Sequence, residues 1–147
     1  MPLVIVADDD DLVVDIVRAA FEARGHVVGA LSDGKSVNEV VQLKHPDVVI
    51  LDCAMADVPG IVALKEIRAS KNGYGTPVLM LTARCGAADE EIAWAAGADD
   101  YLHKPFDPDE LVVRVEALMK KFADRKARQL DSPAQVGSNR RAASHNL

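Results

Sequence analysis

The sequence predicts an α/β fold in which strand and helix alternate five times, giving a doubly wound, five-stranded parallel sheet with helices on both faces. Short apolar runs alternate with amphipathic segments through most of the chain. The runs at 48–51 and 78–81 contain no polar residue, which is typical of parallel strands that are buried on both faces. Right-handed crossovers between such strands place the intervening helices on both sides of the sheet.

The predicted strands are the apolar runs themselves. They are expected at 3–6, 27–30, 48–51, 78–81 and 101–102. The segments between them have the apolar spacing of amphipathic helices. The second, third and fourth helices are expected at 34–43, 60–70 and 89–96.

The first and fifth helices have the clearest limits. Gly25 lies where a glycine commonly follows the end of the first helix. The fifth helix begins with Asp107 as N-cap, Pro108 at the first helical position and Glu110 three residues after the cap. The apolar repeat is Leu12, Val13, Ile16, Val17 and Ala20 in the first helix, and Leu111, Val115, Leu118, Met119 and Phe122 in the fifth.

The composition excludes several classes of protein. With 49% hydrophobic residues in 147 the chain is too apolar to be disordered, and its two cysteines do not form a disulfide framework. The apolar runs are far shorter than the roughly 20 residues that a membrane-spanning helix needs. The N-terminus lacks the basic region of a signal peptide, so we predict a cytoplasmic protein without membrane insertion.

Charge divides the chain into an acidic body and a basic tail. Residues 1–119 carry 10 Lys and Arg against 21 Asp and Glu, whereas residues 120–147 carry 7 against 2. We expect one folded domain over 1–122 and a flexible basic tail over 123–147, the first part of which can extend the last helix. An acidic body disfavours nucleic acid as a ligand, because phosphate binding needs a positive surface.

Polar residues that can do chemistry follow four of the predicted strands. The acidic run 8–11 follows the first strand, Asp52 the third, Thr82 the fourth and Lys104 the fifth. Because the carboxyl ends of parallel strands meet at one edge of a sheet, we expect these groups to lie together. Clustered carboxylates need a cation, and oxygen ligands on loops suit Mg²⁺ better than Zn²⁺.

The run of four aspartates leaves the register open, because the first strand can end one residue earlier or later. We choose Asp8 and Asp9 as the metal-facing pair, since Val13 then begins the buried face of the helix four residues after Asp9. Asp10 or Asp11 is then the N-cap of that helix.

A carboxylate beside a divalent ion, with an amine and a hydroxyl within reach, can receive a phosphoryl group. In that reaction the metal and Lys104 neutralise the phosphoryl oxygens, and the Thr82 hydroxyl donates a hydrogen bond to one of them. Asp52 is then the nucleophile, and the product is an acyl phosphate.

The order and spacing of these residues resemble the receiver domain of two-component response regulators, whose flavodoxin-like fold is that of CheY. The separations of about 30 residues from Asp52 to Thr82 and about 22 from Thr82 to Lys104 match the usual spacing of the family. The resemblance covers about residues 2–121. Further matching segments are His45-Pro46-Asp47, Met55, Gly60, Thr82-Ala83-Arg84, Ala96-Gly97-Ala98 and Tyr101-Leu102-His103-Lys104-Pro105-Phe106.

The resemblance implies a phosphorylation site. Asp52 would accept the phosphoryl group from a histidine kinase or a histidine phosphotransfer protein, and Lys104 would contact that group. Mg²⁺ would be held by Asp8, Asp9, Asp52 and the backbone carbonyl of Ala54.

The resemblance also implies a switch. Thr82 would move toward the phosphoryl group, Tyr101 would turn inward, and the face formed by the fourth helix, fifth strand and fifth helix would change its contacts with a downstream protein or a second copy of the chain. Pro105 would follow a cis peptide bond, and Ala54 and Arg84 would tune the lifetime of the acyl phosphate. A plainer alternative for Tyr101 is a core aromatic at the end of a strand.

We therefore expect a single-domain response regulator that is phosphorylated on Asp52 and turns over no separate substrate. The alternatives within the family are a phosphorelay carrier or phosphate sink, and a regulator that contacts nucleic acid through its basic tail.

A phosphohydrolase of the haloacid-dehalogenase type would need a second aspartate where this chain has Ala54. A flavodoxin-like cofactor site would need a phosphate-binding loop after the first strand, where four aspartates would repel phosphate. Cys53 and Cys85, expected near the same edge, motivate a separate hypothesis of a redox brake on phosphorylation.

Overall fold

The computed structural model describes residues 1–83 and 87–130, and in this part of the chain strand and helix alternate as predicted. The strands are β1 Leu3–Ala7, β2 Val27–Leu31, β3 Val48–Asp52, β4 Val78–Thr82 and β5 Asp100–His103. The helices are α1 Asp11–Glu22, α2 Val37–Lys44, α3 Gly60–Ala69, α4 Ala87–Ala95 and α5 Pro108–Leu130. Over the two described ranges, no helix is both long enough and apolar enough to cross a membrane.

The five strands form one parallel sheet in the order β2-β1-β3-β4-β5, which confirms the predicted α/β fold. The register aligns the carboxyl ends of the strands, because Ala7 of β1 pairs with Leu51 of β3 and Thr82 of β4 pairs with His103 of β5. The residues that follow β1, β3, β4 and β5 therefore emerge at one edge of the sheet.

Two apolar layers cover the sheet, one on each face. β3 and β4 are buried along their whole length, so their side chains enter the two layers alternately. α1 and α5 close one layer, where Phe21 and Leu111 are fully buried, and α2, α3 and α4 close the other, where Val41 and Leu64 are fully buried. Burying one side chain of this size stabilises the folded protein by about 1.5–3 kcal/mol. The two apolar layers therefore hold in place the strands that carry the residues at the carboxyl edge of the sheet.

Helix α1 faces the sheet with a narrower stripe than its apolar sequence suggests. The Asp10 carboxylate accepts a hydrogen bond from the Leu12 amide at 3.0 Å, so Asp10 is the N-cap. Val17 and Phe21 are fully buried, whereas Leu12 is 68% exposed and Ile16 37% exposed. The prediction that all five apolar positions form the inner face was wrong for these two, because Val17 and Phe21 fix the rotation of the helix.

Helix α2 begins at Val37 rather than at Gly34, where the sequence predicted its start. The reason is that side chains already bind the preceding amides. The Asp33 carboxylate accepts a hydrogen bond from the Ser36 amide at 2.7 Å. The Asp57 carboxylate accepts hydrogen bonds from the amides of Gly34 and Lys35.

Helix α5 runs through the expected domain boundary after residue 122 and continues to Leu130. Its last turns are exposed and are supported by local contacts: Lys120 lies 3.6 Å from Asp124, and the Arg125 guanidinium lies 5.0 Å from the centre of the Phe122 ring. The rest of the predicted tail, residues 131–147, lies outside the described residues.

Candidate functional site

Three carboxylates meet at the carboxyl edge of the sheet. Asp8 directly follows β1 and Asp52 is the last residue of β3, and these neighbouring strands end side by side. Asp8 is 1% exposed and Asp52 5% exposed, whereas Asp9 is open to solvent. One oxygen from each of Asp8, Asp9 and Asp52 lies within 4.8 Å of the others. Within the described ranges this is the acidic group with the spacing of a metal site, and it contains the pair chosen from the sequence.

Lys104 brings an amine to the two buried carboxylates. Its Nζ lies 2.8 Å from Asp8 Oδ2 and 3.4 Å from Asp52 Oδ1. The backbone holds this position, because the Lys104 amide donates a hydrogen bond to the Thr82 carbonyl at 2.7 Å. The peptide bond from Lys104 to Pro105 is cis, as the resemblance implied.

The loop after Asp52 is closed at its base. The Gly60 amide donates a hydrogen bond to the Cys53 carbonyl at 2.9 Å, and a Cβ at Gly60 would collide with the Asp52 carbonyl, so only glycine fits there. Inside the loop, the Ala54 amide lies 3.4 Å from Asp52 Oδ1 and Met55 is 4% exposed. The loop therefore folds back beside the carboxylates.

Thr82 and Tyr101 form a pair on the neighbouring strands β4 and β5. Thr82 is the last residue of β4 and is 1% exposed; Tyr101 is 6% exposed and its side chain is hydrogen-bonded to that of Thr82. The His103 ring meets the Tyr101 ring edge-on, with centroids 5.1 Å apart. The hydroxyl and the tyrosine that were predicted as a switch pair thus lie in contact. Tyr101 already lies inward in this structure, so the inward turn expected on phosphorylation is not a change that starts from this position.

The comparisons with known proteins identify the family. The sequence profile of the response regulator receiver domain matches residues 4–116. The chain belongs to this family of receiver domains. It is 38% identical over 127 residues to the response regulator protein PmrA of Pseudomonas aeruginosa, an alignment that covers 86% of this chain and 57% of PmrA. It spans about half the length of the curated relatives that it matches.

Solved receiver domains share the fold. The receiver domain of Francisella response regulator 1452 is 36% identical, with a TM-score of 0.76, and the match covers 82% of this chain and 98% of that one. The receiver domain of a sensor histidine kinase from Pseudomonas aeruginosa is 28% identical, also with a TM-score of 0.76, and the match covers 81% of this chain and 98% of that one. That structure is described with a magnesium ion coordinated in its active-site cleft.

Burial and charge shift the protonation equilibria of this receiver domain. Burial raises the pKa of Asp52 above its ordinary value of 3.8, the negative charge of Asp8 raises it further, and Lys104 opposes both. Burial alone lowers the pKa of Lys104, but the hydrogen bond to Asp8 and the charge of Asp52 outweigh it, so that pKa is raised. The Lys104 amine therefore stays protonated, and its one positive charge interacts with both buried carboxylates, those of Asp8 and Asp52.

The residues present fit a divalent cation. The donor set consists of carboxylate oxygens, with the backbone carbonyl of Ala54 on the adjacent loop, which is the ligand type of Mg²⁺ rather than of Zn²⁺. Three carboxylates and one lysine leave the receiver site with excess negative charge, and the charge of Asp8 adds to burial, the larger cause, in raising the pKa of Asp52.

Two residues of the predicted set lie outside the described part of the receiver domain. They are Arg84, expected to tune the lifetime of the acyl phosphate, and Cys85, the partner of Cys53 in the redox hypothesis. The sequence analysis also missed one residue, Asp57, whose carboxylate binds the amides of Gly34 and Lys35. Only the position of Asp57 in the loop after Asp52 could have drawn attention to it.

The pKa of Asp52, raised by burial and by the charge of Asp8, predicts that its ionised carboxylate destabilises the metal-free receiver domain. A group whose pKa is raised by folding stabilises the native state below its unfolded pKa, and that stability is lost as the pH rises through the folded pKa. With a chelator present, the Asp52→Asn variant should therefore resist urea more than the wild type at neutral pH, and the difference should vanish below pH 3.8.

Urea unfolding over a pH series measures this difference. The matched control is Asp15→Asn, which neutralises an exposed aspartate on α1 and should leave the stability of the protein unchanged. An Asp52→Asn variant that is less stable than the wild type at neutral pH would contradict the prediction.

Proposed function

We propose that this receiver domain accepts a phosphoryl group on Asp52, with Mg²⁺, from a histidine kinase or a histidine phosphotransfer protein. The observation that supports the proposal is the juxtaposition at Asp52: carboxylates of Asp8 and Asp9 within 4.8 Å, the Lys104 amine at 3.4 Å, and the Thr82 side chain at the end of the adjacent strand. Transfer to the protein's own aspartate involves no separate substrate.

The chemistry follows from the charges at the site. An oxygen of the Asp52 carboxylate forms a bond to phosphorus, the bond from phosphorus to the donor's imidazole nitrogen breaks, and the imidazole leaves with its electron pair and takes up a proton. Asp8, Asp9, Asp52 and the carbonyl of Ala54 would hold Mg²⁺, which supplies positive charge to the phosphoryl oxygens. Lys104 would supply the remaining positive charge, which the distance of 3.4 Å between its Nζ and Asp52 Oδ1 supports.

Output is proposed to run from Thr82 through Tyr101 to the surface. Once Asp52 carries a phosphoryl group, the Thr82 hydroxyl gains a new acceptor, and the hydrogen bond between Thr82 and Tyr101 is weakened or broken. Tyr101 borders a cavity of about 390 Å³ between the loop after β3 and α4, where Ile92 is 52% exposed. A shift in the position of Tyr101 then alters the face formed by α4, β5 and α5.

The exposed side chains of this face suit a protein partner. Trp94 is 42% exposed on α4, and its indole Nε1 donates a hydrogen bond to Glu90 at 3.2 Å. A partly exposed aromatic beside an acidic residue fits a downstream protein or a second copy of the chain. We place this switch, or phosphorelay carrier, in the cytoplasm.

The mass of the intact protein tests the proposal. After incubation with acetyl phosphate and Mg²⁺, the wild type and Asp15→Asn should gain one phosphoryl group, whereas Asp52→Ala should gain none, and EDTA should abolish the gain. A wild type that binds Mg²⁺ by calorimetry but gains no mass from acetyl phosphate or from phosphorylated kinase domains would overturn the mechanism.

A further inference from the structure

A carboxylate from the loop after Asp52 is bound to the backbone of a different loop. Asp57 Oδ1 accepts a hydrogen bond from the Gly34 amide at 3.0 Å, and Asp57 Oδ2 accepts one from the Lys35 amide at 3.2 Å. Both oxygens are used, each on one of two consecutive amides between β2 and α2. These bonds hold the pKa of Asp57 below its ordinary value, so the carboxylate is ionised at neutral pH.

The loop after β2 and the loop after β3 also pack directly against each other at Gly34, which has no side chain. A Cβ at Gly34 would collide with the Val58 carbonyl and would lie 3.2 Å from Met55 Cε. Gly34 therefore has no room for a side chain, and the loop after β2 forms one wall against which the loop after β3 rests. The Asp57 carboxylate binds to that same wall.

Ala54 lies between two fixed points of the loop after β3. At the base, the Gly60 amide is bonded to the Cys53 carbonyl, and at the tip Asp57 is bonded to the amides of Gly34 and Lys35. Ala54 itself is exposed, and its side chain is too short to anchor the backbone. The direction of its carbonyl therefore depends on the rest of the loop, which is held by the buried Met55 as well as by the two fixed points.

We propose that Asp57 is a positioning residue for the metal site: it fixes the tip of the loop after β3 to the loop after β2 and thereby fixes the Ala54 carbonyl. The inference rests on the proposed function, since it assigns a role toward the Mg²⁺ that the site is proposed to bind. According to this proposal, the affinity for Mg²⁺ also depends on the loop after β2, although that loop contributes no metal ligand.

The location of Asp57 separates this role from a general contribution to folding. Its side chain is exposed and lies outside both apolar layers, so its removal leaves the core intact. Lys35 is exposed, so its amide can then bond to water, whereas the amide of the buried Gly34 loses its acceptor, which costs some stability. The variant should still fold, because both apolar layers are untouched, so its loss of Mg²⁺ affinity is measured on a folded protein.

Calorimetric titration of Mg²⁺ into the Asp57→Ala variant tests the proposal. The dissociation constant should rise about tenfold, the low end of the cost of losing a group that orients a metal ligand. Phosphorylation by acetyl phosphate should need correspondingly more Mg²⁺ but should approach the wild-type rate at saturating Mg²⁺. Hydrogen exchange at the amides of Gly34 and Lys35 should accelerate in the variant.

The matched control is Asp33→Ala, which removes the carboxylate that accepts a hydrogen bond from the Ser36 amide within the loop after β2 but leaves both bonds of Asp57 in place. Its Mg²⁺ affinity should equal that of the wild type. An unchanged affinity in Asp57→Ala, or an equal loss in both variants, would overturn the positioning role. A wild type that binds no Mg²⁺ would instead overturn the proposed function, so the two failures are distinguishable.

Discussion

Replacing Lys104 by alanine should slow phosphorylation of Asp52 by acetyl phosphate about a hundred- to a thousandfold at saturating Mg²⁺. This is the usual cost of removing one fixed group that stabilises the charge of a transition state. The expectation rests on the position of Nζ, which lies 3.4 Å from Asp52 Oδ1 and 2.8 Å from Asp8 Oδ2. The initial rate of mass gain of the intact protein measures the effect.

The same substitution should change metal binding in the opposite direction. Without the amine, the carboxylates of Asp8, Asp9 and Asp52 keep their full negative charge, so the Lys104→Ala variant should bind Mg²⁺ more tightly than the wild type. Lys35→Ala, which removes an exposed lysine from the loop after β2, is the control and should leave both quantities unchanged. Phosphorylation of Lys104→Ala at the wild-type rate would disprove the role of the amine.

The second large effect is expected on stability, from Arg68 in the last turn of α3. Its guanidinium pairs with Asp99 at 2.7 Å and donates to four carbonyls, those of Gly73 at 3.1 Å, Tyr74 at 3.4 Å, Thr76 at 2.6 Å and Gly97 at 2.9 Å. One side chain thus joins the turn before β4 to the turn before β5. Arg68→Ala should lower the free energy of unfolding by about 3 kcal/mol, because a partly buried carboxylate loses its cation and four carbonyls lose a donor.

Two further substitutions separate hydrogen bonding from packing at Arg68. Arg68→Met keeps a long aliphatic side chain but has no donors, and it should cost as much as Arg68→Ala. Arg68→Lys keeps the charge near Asp99 but cannot reach several carbonyls at once, so it should restore only part of the stability. Urea unfolding measures all three, and a Met variant as stable as the wild type would show that packing, not hydrogen bonding, is what Arg68 supplies.

The fold was predictable because parallel strands buried on both faces produce apolar runs that no amphipathic helix shows. The site was predictable for a related reason: once β1, β3, β4 and β5 are parallel, their last residues must meet. Asp8, Asp52 and Lys104 lie far apart in the chain, yet the topology alone brings them within hydrogen-bonding distance.

The contacts between loops were not predictable. Asp57 and Gly34 are separated by 23 residues, and no periodicity links them. The rotation of α1 was mispredicted for Ile16 because adjacent apolar residues cover too wide an arc to define one inner face. The end of α5 was difficult to place because its last turns are stabilised by contacts such as Lys120 with Asp124, which leave no apolar stripe.

The length of α5 has a mechanical consequence. Leu118 is its last buried residue, Met119 and Phe122 still pack against one apolar layer, and the helix continues beyond them to Leu130. At 1.5 Å per residue the part beyond Phe122 is about 12 Å long, so it acts as a lever whose fulcrum is the packed segment that ends at Phe122. A tilt of about 10° at the fulcrum would move the far end by about 2 Å, which is enough to make or break a hydrogen bond. Small rearrangements beside β5 are therefore amplified at the tip of the helix.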